Sequence, residues 1–223
     1  MKSIFFNDYD LVKRKLLKYL IFHFIILILF LLINFLISTV FDNPMFAIMG
    51  INYNKNSTYM ETTFYFYNLM LSVFLMLNLF FNENKNGLCN IYLRMTSVNW
   101  WKYKNFSIIF LLFIYKAISY IITYVLSSNY ISIDKNYILY FILDFEYSLL
   151  ISYLVILLIC AVKNKYLNTV FVFASIIILY LFKFSIVGNI NKISIFLILN
   201  IILYYFLRFI IKKNIYTIFE KNG

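Results

Sequence analysis

Six runs of apolar residues dominate the chain, at about 19–41, 60–81, 105–126, 137–162, 167–187 and 193–211. A helix rises 1.5 Å per residue, so about 20 residues cross a hydrocarbon core about 30 Å thick. Lipid offers no water to backbone N–H and C=O groups, so runs of this kind are helices. The pattern predicts an all-α polytopic membrane protein with six transmembrane helices. Composition agrees. The chain is 64% hydrophobic and 13% charged, where soluble domains are about 45–50% apolar and about 25% charged. Its 223 residues suit a single transmembrane domain over 1–223, with no room for an added soluble domain. Four glycines and one proline predict helices that are mostly unbroken.

Basic residues set the orientation. Lys and Arg concentrate in cytoplasmic loops. Here 15 of the 20 fall in the N-terminal segment, the second connection, the fourth connection and the tail, and four fall in the alternate loops. One, Lys116, lies within a span. Both termini are therefore expected in the cytoplasm, with the chain in the plasma membrane. The net charge of +11 reads as attraction to anionic lipid rather than nucleic acid, because the charges sit at span ends and not on one continuous face. Cys89 and Cys160 both fall on the cytoplasmic side, where thiols stay reduced, and no disulfide is expected. Much of the 22% aromatic content can reflect AT-rich codon usage, since Phe, Tyr, Ile, Asn and Lys are abundant together.

Residues 1–18 precede the first span. Phe5, Tyr9, Val12 and Leu16 share one helical stripe, while Asp10, Lys13 and Arg14 point elsewhere. This reads as an amphipathic interface helix, or more simply as a solvated lead-in. A cleaved signal peptide is not expected, because the apolar run is too long and no A-x-A site follows. The longest outer loop, about 42–59, holds Pro44 and Gly50 and is too short to receive a large ligand.

Motifs for chemistry are sparse. No G-x-x-x-x-G-K-[ST] occurs, so no ATP site is expected in the chain. The one histidine, His23, excludes H-E-x-x-H and reads as a polar residue near the inner end of the first helix. No cofactor or metal site is expected. Charges inside spans carry more information, because each costs at least about 2.5–3.5 kcal/mol at the bilayer centre and demands a partner. Lys116 is in the third span, and Asp144 and Glu146 are in the fourth. Joined by a short outer loop, these helices are antiparallel neighbours, and Lys116 and Glu146 come to the same depth, roughly 15 Å below the outer surface. The group reads either as a buried pair fixing helix register or as a polar point on a substrate path or gate.

The longest interruption of the apolar pattern is the connector 82–104 between the second and third spans. Leu88, Ile91, Tyr92 and Met95 follow helical spacing and predict a short amphipathic helix. Ser97 or Asn99 is a candidate cap for the next helix. Trp100 and Trp101, with Tyr103, Lys102 and Lys104, match an interfacial belt. On charge and amphipathicity alone, this is either an ordinary loop lying on the membrane or a coupling element.

At the connector the chain resembles the permease subunits of type-2 ABC exporters. Those have six helices, an amphipathic entry helix, and a second loop with an acidic residue, a basic residue and a glycine. A short helix and a small-residue break then lead into helix three. Here the pattern stands as Glu83-x-Lys85-x-Gly87, Leu88–Met95 and Thr96-Ser97-Val98-Asn99, with Ser97 where the family usually carries proline. The opening FFNDYDLVKRKL is similar to the family's start. The compact size is most similar to peptide-exporter permeases, such as those for phenol-soluble modulins or bacteriocin immunity. The resemblance implies a homodimer or heterodimer of permeases above two separate ATPase subunits that supply ATP and Mg²⁺. It implies a coupling role for Glu83, Lys85, Gly87, Leu88, Tyr92 and Arg94. It also implies an amphipathic peptide or lipid-like substrate moved out of a bacterial cell. Two other classes compete: a membrane peptide-processing enzyme using Cys89, and the substrate-capture subunit of an energy-coupling importer.

Overall fold

A computed structural model describes residues 17–36, 59–81, 96–127, 137–161 and 191–222, with side chains described for 17–32, 65–80, 96–125, 137–160 and 193–213. These residues are helical apart from Thr96. They form α1 (Leu17–Leu36), α2 (Tyr59–Phe81), α3 (Ser97–Ser127), α4 (Tyr137–Ala161) and α5 (Asn191–Asn222). The second and fourth predicted spans agree with α2 and α4 to within a residue. The fifth predicted span, 167–187, lies outside the described residues, as do nearly all of the predicted interface helix and connector positions 82–95.

Three of the helices are long and apolar enough to cross a membrane: α3, α4 and α5. The apolar stretches described in α1 and α2, Leu17–Leu32 and Tyr65–Phe80, are shorter. Among the described residues the fold is all-helical, and the three long helices fit a membrane protein.

Two helices run further than their apolar sequence suggests. α3 has 31 residues and α5 has 32, so they extend about 46 and 48 Å. Each outreaches a hydrocarbon core of about 30 Å. The apolar run of the third span begins near 105, and its helix was expected to start ahead of it at Trp100, behind a cap at Ser97 or Asn99; it starts at Ser97, so the last part of the predicted connector is helical. The start is set by Thr96, not by the expected Ser97 or Asn99. The Asn99 N–H donates to Thr96 Oγ1 at 3.4 Å, and the Trp100 N–H donates to the Thr96 carbonyl at 3.0 Å. A threonine at the N-cap meets an amide that would otherwise lack a partner. Thr96→Ala should therefore cost about 1 kcal/mol, read as a lower unfolding midpoint with unchanged helix content.

The bundle is organised on α3 and α4. α3 packs on α1, α2, α4 and α5, while α4 packs on α2, α3 and most extensively on α5. The apolar window of α4 is 61% buried and that of α5 only 17%, so α4 is central and α5 peripheral. On α5 the exposed Ile195, Ile198, Ile202, Tyr205 and Phe209 repeat at helical spacing. Such a face is stable against lipid tails, which are as apolar as the side chains. Its opposite face, with Phe196, Leu207 and Ile211, turns into the bundle.

The Trp pair departs from the interfacial reading. Trp100 and Trp101 are both fully buried. Phe80 meets both, at ring distances of 5.9 and 6.1 Å, and Trp101 stacks on Tyr204 at 5.9 Å. Trp101 also approaches Tyr153 at 6.3 Å. The reason is the early start of α3: its first turns lie against Phe80 at the end of α2 and against Tyr153 and Tyr204 within α4 and α5. Lys102 alone of the two expected belt lysines is exposed, while Lys104 is buried with the tryptophans.

Candidate functional site

A buried polar centre forms where α1 to α4 meet. Lys116 Nζ lies 2.9 Å from Asp144 Oδ2, and both side chains are 0% exposed. Tyr65 on α2 donates its hydroxyl to the other carboxylate oxygen at 3.4 Å. The carboxylate is thus held by a cation from α3 and a hydroxyl from α2. Pairing meets the cost that an isolated charge would meet in the membrane interior.

The expected partner of Lys116 was Glu146, and the structure corrects this. Asp144 and Glu146 are two residues apart, about 200° around the helix axis. Only one of them can face α3, and it is Asp144. Glu146 turns to α5, where Asn200 Nδ2 donates to Glu146 Oε2 at 2.6 Å and to its backbone carbonyl at 2.9 Å. Matching depth from sequence ignored this rotation. The offset in depth between the two carboxylates is about 3 Å, well within the reach of a lysine stem.

His23 lies in the second turn of α1, near the start of its helix as expected. Its Nε2 lies 3.1 Å from the Tyr115 hydroxyl, next to Lys116 in sequence, and its ring is fully buried. The overhang of α3 brings the two together. Tyr115 is 18 positions beyond Ser97, whereas His23 is only six beyond Leu17. Tyr115 also donates to the side-chain oxygen of Asn68, with the Asn68 backbone carbonyl at 3.5 Å. His23, Asn68 and Tyr115 therefore join α1, α2 and α3 at the level of the ion pair. Tyr67 adds a ring 5.6 Å from His23.

Tyr65, Asn68, Tyr115 and Asn200 had not been singled out. A signal for the α2 members is present: Tyr65, Asn68 and Ser72 follow i, i+3, i+7 spacing, a polar stripe on a helix that must be apolar towards lipid. Three other hydroxyls in the interior are satisfied locally. Ser119 donates to the Tyr115 carbonyl at 2.9 Å, Thr123 to Ser119 at 2.8 Å and Ser152 to Ser148 at 2.7 Å. This back-bonding lets hydroxyls sit in a helix interior without a distant partner. Below the centre, Tyr153 donates to Asn105. Above it, Tyr137 donates to the Tyr120 carbonyl at 2.5 Å, closing α3 onto α4.

The expected coupling residues Glu83, Lys85, Gly87, Leu88, Tyr92 and Arg94 lie outside the described residues. Among the described residues no group of His, Cys, Asp or Glu could hold a metal ion. Comparison of the chain with models of protein families, with curated proteins and with solved structures found no match.

Proposed function

We propose that the chain is the permease subunit of an ATP-driven type-2 ABC exporter in a bacterial plasma membrane. On this reading it has six spans with both termini in the cytoplasm. It dimerises with itself or a paralogue and takes its energy from separate ATPase subunits that bind ATP and Mg²⁺. It carries amphipathic peptides or lipid-like molecules outward. The chain itself is not an enzyme.

The observation that carries this reading is the continuity of α3. One helix runs from Ser97, within the predicted connector, to Lys116 in the buried centre, and on to Ser127. The distance from Ser97 to Lys116 is about 28 Å at 1.5 Å per residue. No proline or glycine lies along it, and such a helix moves as a rod. A displacement of the connector by a soluble partner is therefore delivered to the ion pair without a compliant joint. The connector supplies the complementary feature, since Glu83-x-Lys85-x-Gly87 and the amphipathic Leu88–Met95 resemble a docking element for an ATPase.

The coupling assignment is tested by Tyr92→Ala combined with Arg94→Ala in the permease reconstituted with its ATPase. Substrate-stimulated ATP hydrolysis should fall about tenfold or more, equivalent to about 1.4 kcal/mol of lost coupling, while the bundle melts where the wild type does. Wild-type turnover in the double variant would overturn it.

A further inference from the structure

Packing between α3 and α4 is uneven along their length. At one end the first turns of α3 sit in a core that takes in Phe80, Trp100, Trp101 and Tyr153. At mid-length Lys116 and Asp144 are paired and fully buried. Beyond them the burial falls away. On α4 none of the positions 137–142 is buried, and on α3 Ile121, Tyr124 and Val125 are exposed. Tyr120 is buried there, and among the described residues the buried apolar side chains packed with it are Leu27 and Leu31 of α1. A reciprocal pair of tyrosines joins α3 to α4 at this end. Tyr137 donates its hydroxyl to the Tyr120 carbonyl at 2.5 Å, and Tyr120 donates its own to the Tyr140 carbonyl at 3.4 Å. Their rings meet at 5.5 Å. Along the same seam the exposed Phe113 of α3 meets Phe141 and Phe145 of α4 edge-on.

We infer that the ends of α3 and α4 at Val125 and Tyr137 form a lateral gate towards lipid, with Tyr120 and Tyr137 as its latch and the Lys116–Asp144 pair as its fulcrum. The two kinds of contact differ in what parting them leaves behind. The tyrosines donate to helix carbonyls, each of which has two lone pairs and gives one to its own helix. Opening the latch therefore leaves no carbonyl bare. Parting Lys116 from Asp144 would strand a charge in the membrane interior. The seam thus opens at the tyrosines and stays closed at the ion pair. Segments with few buried contacts are the ones that open locally. Ser127 lies about 17 Å beyond Lys116, so a tilt of α3 by about 10° about the ion pair parts the ends by about 3 Å. The opened seam offers tyrosine hydroxyls to a polar head and the rings of Phe113, Phe141 and Phe145 to an apolar chain. The opening itself does not depend on the permease reading. Its use, the release of an amphipathic molecule into the outer leaflet, rests on that reading.

Distances between paired spin labels in nanodiscs test the gate. The chain's two cysteines, Cys89 and Cys160, are first replaced by serine. Labels at Val125→Cys and Ile138→Cys, both on exposed positions, span the gate. Labels at Lys102→Cys and Leu158→Cys span the other end of the same two helices. Tyr137→Phe keeps the ring and removes one latch bond, so the population at longer gate distance should rise about three- to tenfold, the worth of one net hydrogen bond. Tyr120→Phe should do the same, and the double variant more than either. The distance from position 102 to position 158 should not change. Gate distances in the double variant equal to those of the parent would overturn the inference, because the tyrosines would then only pack. Equal lengthening at both ends would overturn it too, since the helices would part without a fulcrum. No ATPase enters this experiment, so its failure is distinct from a failure of the permease reading, which would appear as the lack of an ATPase partner.

Discussion

Lys116→Met should destabilise the bundle by about 3–5 kcal/mol, the cost of removing one partner from a buried ion pair. The loss comes less from the attraction itself than from what remains. Asp144 is 0% exposed, and without Lys116 its carboxylate keeps the Tyr65 hydroxyl but loses the cation that neutralises it. A paired replacement, Lys116→Met with Asp144→Leu, removes both charges and should recover most of the stability, since an apolar pair of similar volume is often no worse than the ions. Glu146→Gln should cost about 1 kcal/mol or less, because an amide oxygen still accepts from Asn200. Reversible unfolding of the four proteins in mixed micelles measures all of these. Equal losses at Lys116 and Glu146 would contradict the assignment of Asp144 as the partner.

A loss of similar size is expected at Trp101. Trp101→Ala should cost about 3–5 kcal/mol, the range for emptying a large aromatic site. The ring packs against Phe80 of α2, Tyr153 of α4 and Tyr204 of α5, so one side chain holds α3 to three neighbours. In lipid the driving force is packing rather than escape from water, and a cavity at this meeting point loses contacts that tails cannot replace. Trp101→Phe should cost far less. The indole Nε1 has no hydrogen-bond partner among the described residues, so the smaller ring gives up volume but no bond seen there. Amide-exchange measurements of helix opening should show α3 and the segments around Phe80, Tyr153 and Tyr204 loosening together in Trp101→Ala. Loosening of α3 alone would show that the ring holds its own helix only.

The sequence made the apolar helices legible because length and hydropathy report directly on membrane crossing. Tyr137–Ala161 was read to within a residue for that reason. The surroundings of the first turns of α3 were misread because Trp100, Lys102 and Lys104 look interfacial by composition, and composition does not reveal that side chains of α2, α4 and α5 pack around Trp101. The intramembrane charges were also legible, since their cost is large and local. Their pairing was not. Choosing between Asp144 and Glu146 needs the rotation of α4, which depends on how the helix divides its faces between α3 and α5. The contact of His23 with Tyr115 was not legible, because it depends on how far α3 extends beyond its apolar run. The polar stripe Tyr65, Asn68 and Ser72 was readable in principle and marks the face of α2 that meets Tyr115 and Asp144.

Native mass spectrometry of the protein released from its own membranes tests the central claim most directly. The account predicts an assembly of two permease chains with two ATPase chains, which takes up ATP and Mg²⁺ and loses its ATPase when Tyr92 and Arg94 are both replaced by alanine. A chain that leaves the membrane without any nucleotide-binding partner, under conditions that keep other membrane assemblies intact, would contradict it.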